Sequence, residues 1–173
     1  MPYLCDGTDE PEISVLASVC AALEDRIETL TRKEHYLIHL DINDFSKFYN
    51  EFGPEQRGGV IRGIHWYFNQ LADMTKIQYY DRVLHDQYVI LTDDRDLGKM
   101  IKDSIETETF PKIKPDLDNA YNGLDPQRIK VHLGIISFFP SDTVNVTTML
   151  DRLLDVTKEA KAENPQIKYE RWQ

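Results

Sequence analysis

The chain has 173 residues, 41% hydrophobic and 29% charged, which is enough apolar material for one globular domain with its own core. Its net charge of −10 argues against an extended nucleic-acid face, which needs clustered Lys and Arg, and is read first as solubility. No apolar run nears the roughly 20 residues that span a bilayer. Residues 1–12 lack the basic start and apolar stretch of a signal peptide, and Cys5 and Cys20 have neither metal-ligand spacing nor a disulfide framework, so a cytoplasmic setting is expected.

Residues 1–12 read as an irregular segment, and 13–173 as a single domain. Pro11 suits a first helical turn. Ile13, Leu16, Cys20, Leu23, Ile27 and Leu30 then recur at steps of three and four, the stripe of an amphipathic helix over 13–31. The stripe is short for a coiled coil, so packing on the domain's own sheet is the expectation. Tyr36–Ile42 reads as a buried strand and Phe45–Phe52 as a short helix stopped near Gly53-Pro54. A longer helix follows over Glu55–Thr75, with Ile61, Ile64, Phe68 and Leu71 on one face and its first turns weakened by Gly58-Gly59. Ile77–Leu84 and Gln87–Thr92 read as a hairpin. Leu97–Thr109 is an amphipathic helix, and Phe110–Arg128, with Pro111, Pro115, Gly123 and Pro126, is a long loop or insertion. Val131–Phe139 is a strand ended by Pro140, Thr147–Ala162 a helix with Met149, Leu153, Val156 and Ala160 inward, and Ile167–Trp172 a last strand.

Strands separated by helices pack as a sheet with helices against it. The order gives an α/β (α+β) sandwich of the ferredoxin-like or palm type, with a central, mostly antiparallel five-stranded sheet. If the first strand lies beside the hairpin, Asp41 at its end and Asp86 at the hairpin tip sit side by side. Close carboxylates repel unless they share a proton or a cation, and an oxygen-rich pair suits Mg²⁺ or Mn²⁺ carrying a nucleotide's phosphates. The acidic charge does not prevent this, because a bound cation and a few basic groups reverse the local field.

The residues resemble the GGDEF family of nucleotide cyclases over about Tyr36–Trp172. Leu40-Asp41-Ile42-Asn43-Asp44-Phe45 is similar to the family's strand-end motif Asp-Ile-Asp-x-Phe, and Asn50-Glu51-Phe52-Gly53 to the turn after it. Arg82-Val83-Leu84-His85-Asp86-Gln87-Tyr88 stands where Arg-x-Gly-Gly-Asp-Glu-Phe would. Lys130-Val131-His132-Leu133-Gly134-Ile135 resembles the Val-Ser-Ile-Gly strand, and Thr157-Lys158-Glu159-Ala160-Lys161 the helix end Tyr-x-Ala-Lys. Active members condense two GTP molecules into cyclic di-GMP in a head-to-head dimer. The resemblance implies metal ligands at Asp41, the Ile42 carbonyl and Asp86, with Asp41 and Asp86 serving catalysis if the chain is active. It implies nucleotide contacts at Lys161 and around Lys47 and Tyr49, with Lys158 as an alternative one turn earlier. Metal ions there would neutralise the triphosphate and activate the attacking 3′-hydroxyl.

This chain departs from the pattern where the substrate would lie. The hairpin glycines are Leu84 and His85, whose side chains obstruct close approach of a nucleotide to the backbone. The second hairpin acid is Gln87. The guanine-reading Asn is Tyr49, its partner Asp falls near Gly58, and the Lys after the strand-end Phe is Ser46, with Lys47 next. Pro165 stands for an Arg that follows the conserved Lys, and Thr75-Lys76-Ile77-Gln78 replaces the Arg-x-x-Asp inhibitory site.

Plain readings compete with these roles. Asp is common in turns, as for Asp41 and Asp86. A hairpin-tip His85 is usually solvated, Lys161 complements a helix dipole, and Asp44 can cap the next helix. Trp66 and Tyr67 suit packing, and Tyr79, Tyr80 and Tyr88 suit strands. The expectation is a degenerate GGDEF-like signalling domain without diguanylate cyclase activity, a regulatory, nucleotide-binding or protein-interaction module. Its partners would be a nucleotide or cyclic dinucleotide, a protein, or a second copy. The alternative is a metal-dependent nucleotide cyclase or cyclic-oligonucleotide synthase with another base preference. A scaffold using the first helix or the 110–128 loop is a third reading.

Overall fold

The computed structural model describes residues 11–43, 58, 61–84, 86–107 and 130–173. Its elements are α1 (Ile13–Ile27), β1 (His35–Asn43), α2 (61–73), β2 (Tyr79–Leu84), β3 (Gln87–Thr92), α3 (Leu97–Glu106), β4 (Lys130–Phe138), α4 (Val146–Ala160) and β5 (Ile167–Arg171). The expected helix over 45–52, the first turns of the 55–75 helix apart from residue 58, His85 and the 110–128 loop lie outside the described residues.

β1, an apolar run, is the middle strand of the sheet, flanked by β3 and β4. The order is β2-β3-β1-β4-β5. β1 runs antiparallel to β3 and to β4, β2 is antiparallel to β3, and β5 lies parallel to β4. The sheet is therefore mixed and mostly antiparallel, the α+β sandwich expected from the element order.

Side chains alternate across a strand, so β1 serves two layers. Ile38, Leu40 and Ile42 face one layer with Ile64, Phe68 and Leu71 of α2 and Ile101 and Ile105 of α3. Tyr88 is fully buried there, edge-on to Phe68 at 5.2 Å and to His65 at 5.6 Å. Leu37 faces the other layer with Leu23 and Ile27 of α1 and Met149, Leu150 and Leu153 of α4. Tyr67 is also a packing residue, and its hydroxyl donates to Ser104 Oγ at 3.2 Å.

Several details differ from the sequence reading. α1 stops at Ile27 rather than near residue 31, because the Thr29 hydroxyl and backbone N–H both bond the Arg26 carbonyl and close a tight turn. Ile13, the first member of the apolar stripe, is 87% exposed, since the buried face of α1 is Val19, Cys20, Leu23 and Ile27. α4 begins at Val146, capped by the Asn145 side chain accepting from Thr148 N–H at 3.0 Å. Among the described residues no helix is long and apolar enough to cross a membrane.

Candidate functional site

The apolar run of β1 is interrupted at His39 and Asp41, two residues apart and so on one face, the face under α4. Strand register sets their neighbours. Asp41 lies between Gln87 of β3 and His132 of β4, and His39 lies between Val89 and Gly134. The last turns of α4 cover this patch. They come close because position 134 has no side chain: a Cβ there would stand 2.4 Å from Thr157 Oγ1, 2.7 Å from its backbone nitrogen and 2.9 Å from the Leu153 carbonyl oxygen.

That approach brings Thr157 Oγ1 to 2.8 Å from His39 Nδ1, while His39 Nε2 is 3.0 Å from Gln87 Oε1. A carbonyl oxygen facing Nε2 makes that nitrogen the donor. The Thr157 hydroxyl donates to the Leu153 carbonyl at 3.0 Å. Burial strips the imidazolium of solvent and pushes His39 down to about 4, against the opposing pull of Asp41, so the ring is neutral at pH 7. His132 is lowered for the same reason, again opposed by Asp41. It is 2% exposed, and its Nδ1 has no hydrogen-bond partner among the described residues.

Asp41 is 5% exposed, yet its carboxylate is compensated. Lys161, at the C-terminal cap of α4, places Nζ 2.7 Å from Asp41 Oδ2. The arrangement is one carboxylate and one ammonium, flanked along the sheet by a neutral amide and a neutral imidazole.

The other expected site residues distribute as follows. The Ile42 N–H donates to the Asp86 carbonyl at 2.9 Å, so these two meet through the backbone. Asp41 is opposite Gln87, and Asp86 is one register step beyond. Leu84 pairs with Gln87 across the tight turn, after a register shift between Arg82 and Leu84. Lys158 lies 3.9 Å from Asp155 on the exposed side of α4. Tyr49, Lys47 and His85 are outside the described residues. Sequence reasoning brought Asp41 and Lys161 into one site but missed His39, His132 and Thr157. The signal for His39 was present, a polar residue two places before Asp41 in an apolar strand.

Among the described residues, the side chains beside Asp41 do not by themselves make a divalent-cation centre. Hard cations take several oxygen ligands with compensating negative charge. Here the Asp41 carboxylate is ion-paired to Lys161, and the residues opposite it, Gln87 and His132, carry no negative charge. Among the described residues no three His, Cys, Asp or Glu side chains gather as a metal site.

The architecture matches solved structures closely enough to decide the fold. The chain has the fold of GGDEF domains. It is similar to the active GGEEF domain of a diguanylate cyclase from Vibrio cholerae, with 16% identity and a TM-score of 0.61 over 94% of this chain and 98% of that one. It is also similar to the GGDEF domain of DgcB from Caulobacter crescentus, solved in complex with c-di-GMP (14% identity, TM-score 0.55, 90% of this chain and 84% of that one). A third likeness is to the diguanylate cyclase SiaD from Pseudomonas aeruginosa, in complex with its activator SiaC (11% identity, TM-score 0.53, 89% and 57%). No protein-family profile and no curated protein matches the sequence. Within the GGDEF fold, then, the end of the central strand of this chain holds an internal ion pair beside a His–Thr–Gln hydrogen-bond chain.

Proposed function

We propose that the chain is a GGDEF-fold signalling domain without diguanylate cyclase activity, working as a regulatory, nucleotide-binding or protein-interaction module. The observation that carries this reading is the buried Asp41 carboxylate neutralised by Lys161. Transfer at an α-phosphate depends on charge stabilisation aimed at the phosphates. A carboxylate already matched by a lysine, with Gln87 where a second acid would stand, offers little to hold cations there. Leu84 supports the same reading, because it puts a side chain on the turn where a nucleotide would have to approach the backbone. The similar solved structures include domains bound to c-di-GMP and a diguanylate cyclase bound to its activator, which supports a signalling role.

The test is incubation of the purified full chain with GTP and Mg²⁺ or Mn²⁺, followed by chromatography. The expected result is unchanged GTP. Steady formation of cyclic di-GMP would overturn the proposal.

A further inference from the structure

A groove of about 380 Å³ runs between α1 and the first turns of α4, at the other end of α4 from Lys161. Leu16, Cys20 and Leu150 line it. Its outer wall is unusual for a surface helix. No charged residue occurs from Ile13 to Leu23, in a chain that is 29% charged, and Ile13, Ala17 and Ala21 on that wall are exposed. An exposed face of small and apolar residues admits the close approach of another helix and gains by being covered. Among the described residues, two acids, Glu24 on α1 and Asp151 on α4, are the charged groups in the groove lining, and no cation lines it.

We propose that this groove docks an amphipathic helix of a partner protein, one whose apolar stripe is flanked by Lys or Arg. The apolar stripe would cover Leu16, Ala17 and Leu150, and the basic flank would meet Glu24 and Asp151. A second copy of this chain is the poorer occupant. Its own α1 would bring another Glu24 to an acidic rim and no cation from the uncharged stretch. The inference goes beyond the function proposed above and does not depend on it, since cyclase activity neither requires nor forbids a covered α1.

The test uses the full chain and a fluorescently labelled synthetic helix of Leu and Lys with one apolar face, read by anisotropy. A counterpart with Glu in place of Lys and two variants complete it. Ala17→Arg blocks the groove from an exposed position, and Gln70→Arg on the far layer adds the same charge elsewhere. The Leu–Lys helix binds the wild type and the Leu–Glu helix does not. Ala17→Arg weakens binding by at least about tenfold and Gln70→Arg by less than about twofold. No binding, equal binding of both peptides, or equal effects of the two variants would overturn the proposal. So would a dimer seen by light scattering that Ala17→Arg dissolves, which would assign the face to a second copy.

Discussion

Gly134→Ala tests how α4 is seated on the sheet. The added methyl would meet Thr157 Oγ1 at 2.4 Å, Thr157 N at 2.7 Å and the Leu153 oxygen at 2.9 Å. Two of those three atoms are helix backbone, which cannot swing aside, so α4 must lift from β4. Overpacking of this kind costs about 1–3 kcal/mol, and loss of the His39–Thr157 bond adds to it, so about 2–4 kcal/mol is expected. For a domain of this size that is a fall in Tm of roughly 5–15 °C. Gly98→Ala is the control. Its Cβ would meet the tips of the Ile135, Ile38 and Leu133 side chains at 3.0, 3.3 and 3.4 Å. Those tips can move, and alanine favours the helix by up to about 1 kcal/mol, so the change stays within about 1 kcal/mol of zero. Urea unfolding of both variants measures the difference. Gly134→Ala losing less than about 0.5 kcal/mol would refute the seating of α4, and with it the geometry of Thr157 over His39.

Lys161→Met leaves Asp41 buried without its cation. Breaking a buried pair costs up to about 3–5 kcal/mol, but Lys161 is a third exposed, so about 1–3 kcal/mol of stability is expected to go. Adding Asp41→Asn should restore much of it, and a double-mutant cycle in urea measures the coupling. His39 gives a pH dependence with a definite sign. Its folded value, about 4, lies below its ordinary 6.5, so the unfolded chain binds the extra proton first. Stability is lost as pH falls from about 6.5 towards 4, by up to on the order of 3 kcal/mol. His39→Gln should flatten that part of the urea-midpoint profile between pH 7 and 4.5, and an unchanged profile would count against a buried neutral imidazole.

Much of the fold could be read from periodicity. β1 and β4 are apolar runs of strand length, and α4 carries Met149, Leu153, Val156 and Ala160 at steps of three and four, all of them buried. The start of α1 matches the sequence reading, but its first stripe member, Ile13, continues the pattern in sequence and yet is exposed. Lys102 shows a second kind of limit. It reads as a solvent-facing lysine, yet it is 5% exposed and paired with Glu106, which also accepts the Val131 N–H at 2.7 Å. That burial depends on a contact between α3 and β4 that no local pattern encodes.

The site divides the same way. Asp41 and Lys161 were found through motif likeness, and the structure joins them at 2.7 Å although 120 positions separate them (161 − 41). His39, Gln87 and Thr157 form one hydrogen-bonded chain because Gly134 of β4 lets α4 close on β1, while β3 flanks β1 on its other side. A sequence shows Gly134 as a small residue in a strand. It does not show which helix needs the space.

We propose that the Asp41–Lys161 pair stands where a working nucleotidyl-transfer centre would need free negative charge. Incubating the full chain with each of the four nucleoside triphosphates and Mn²⁺, with products identified by mass spectrometry, tests it most directly. No cyclic or linear dinucleotide is expected from any of them. A product that forms with the wild type and disappears in Asp41→Asn would contradict it.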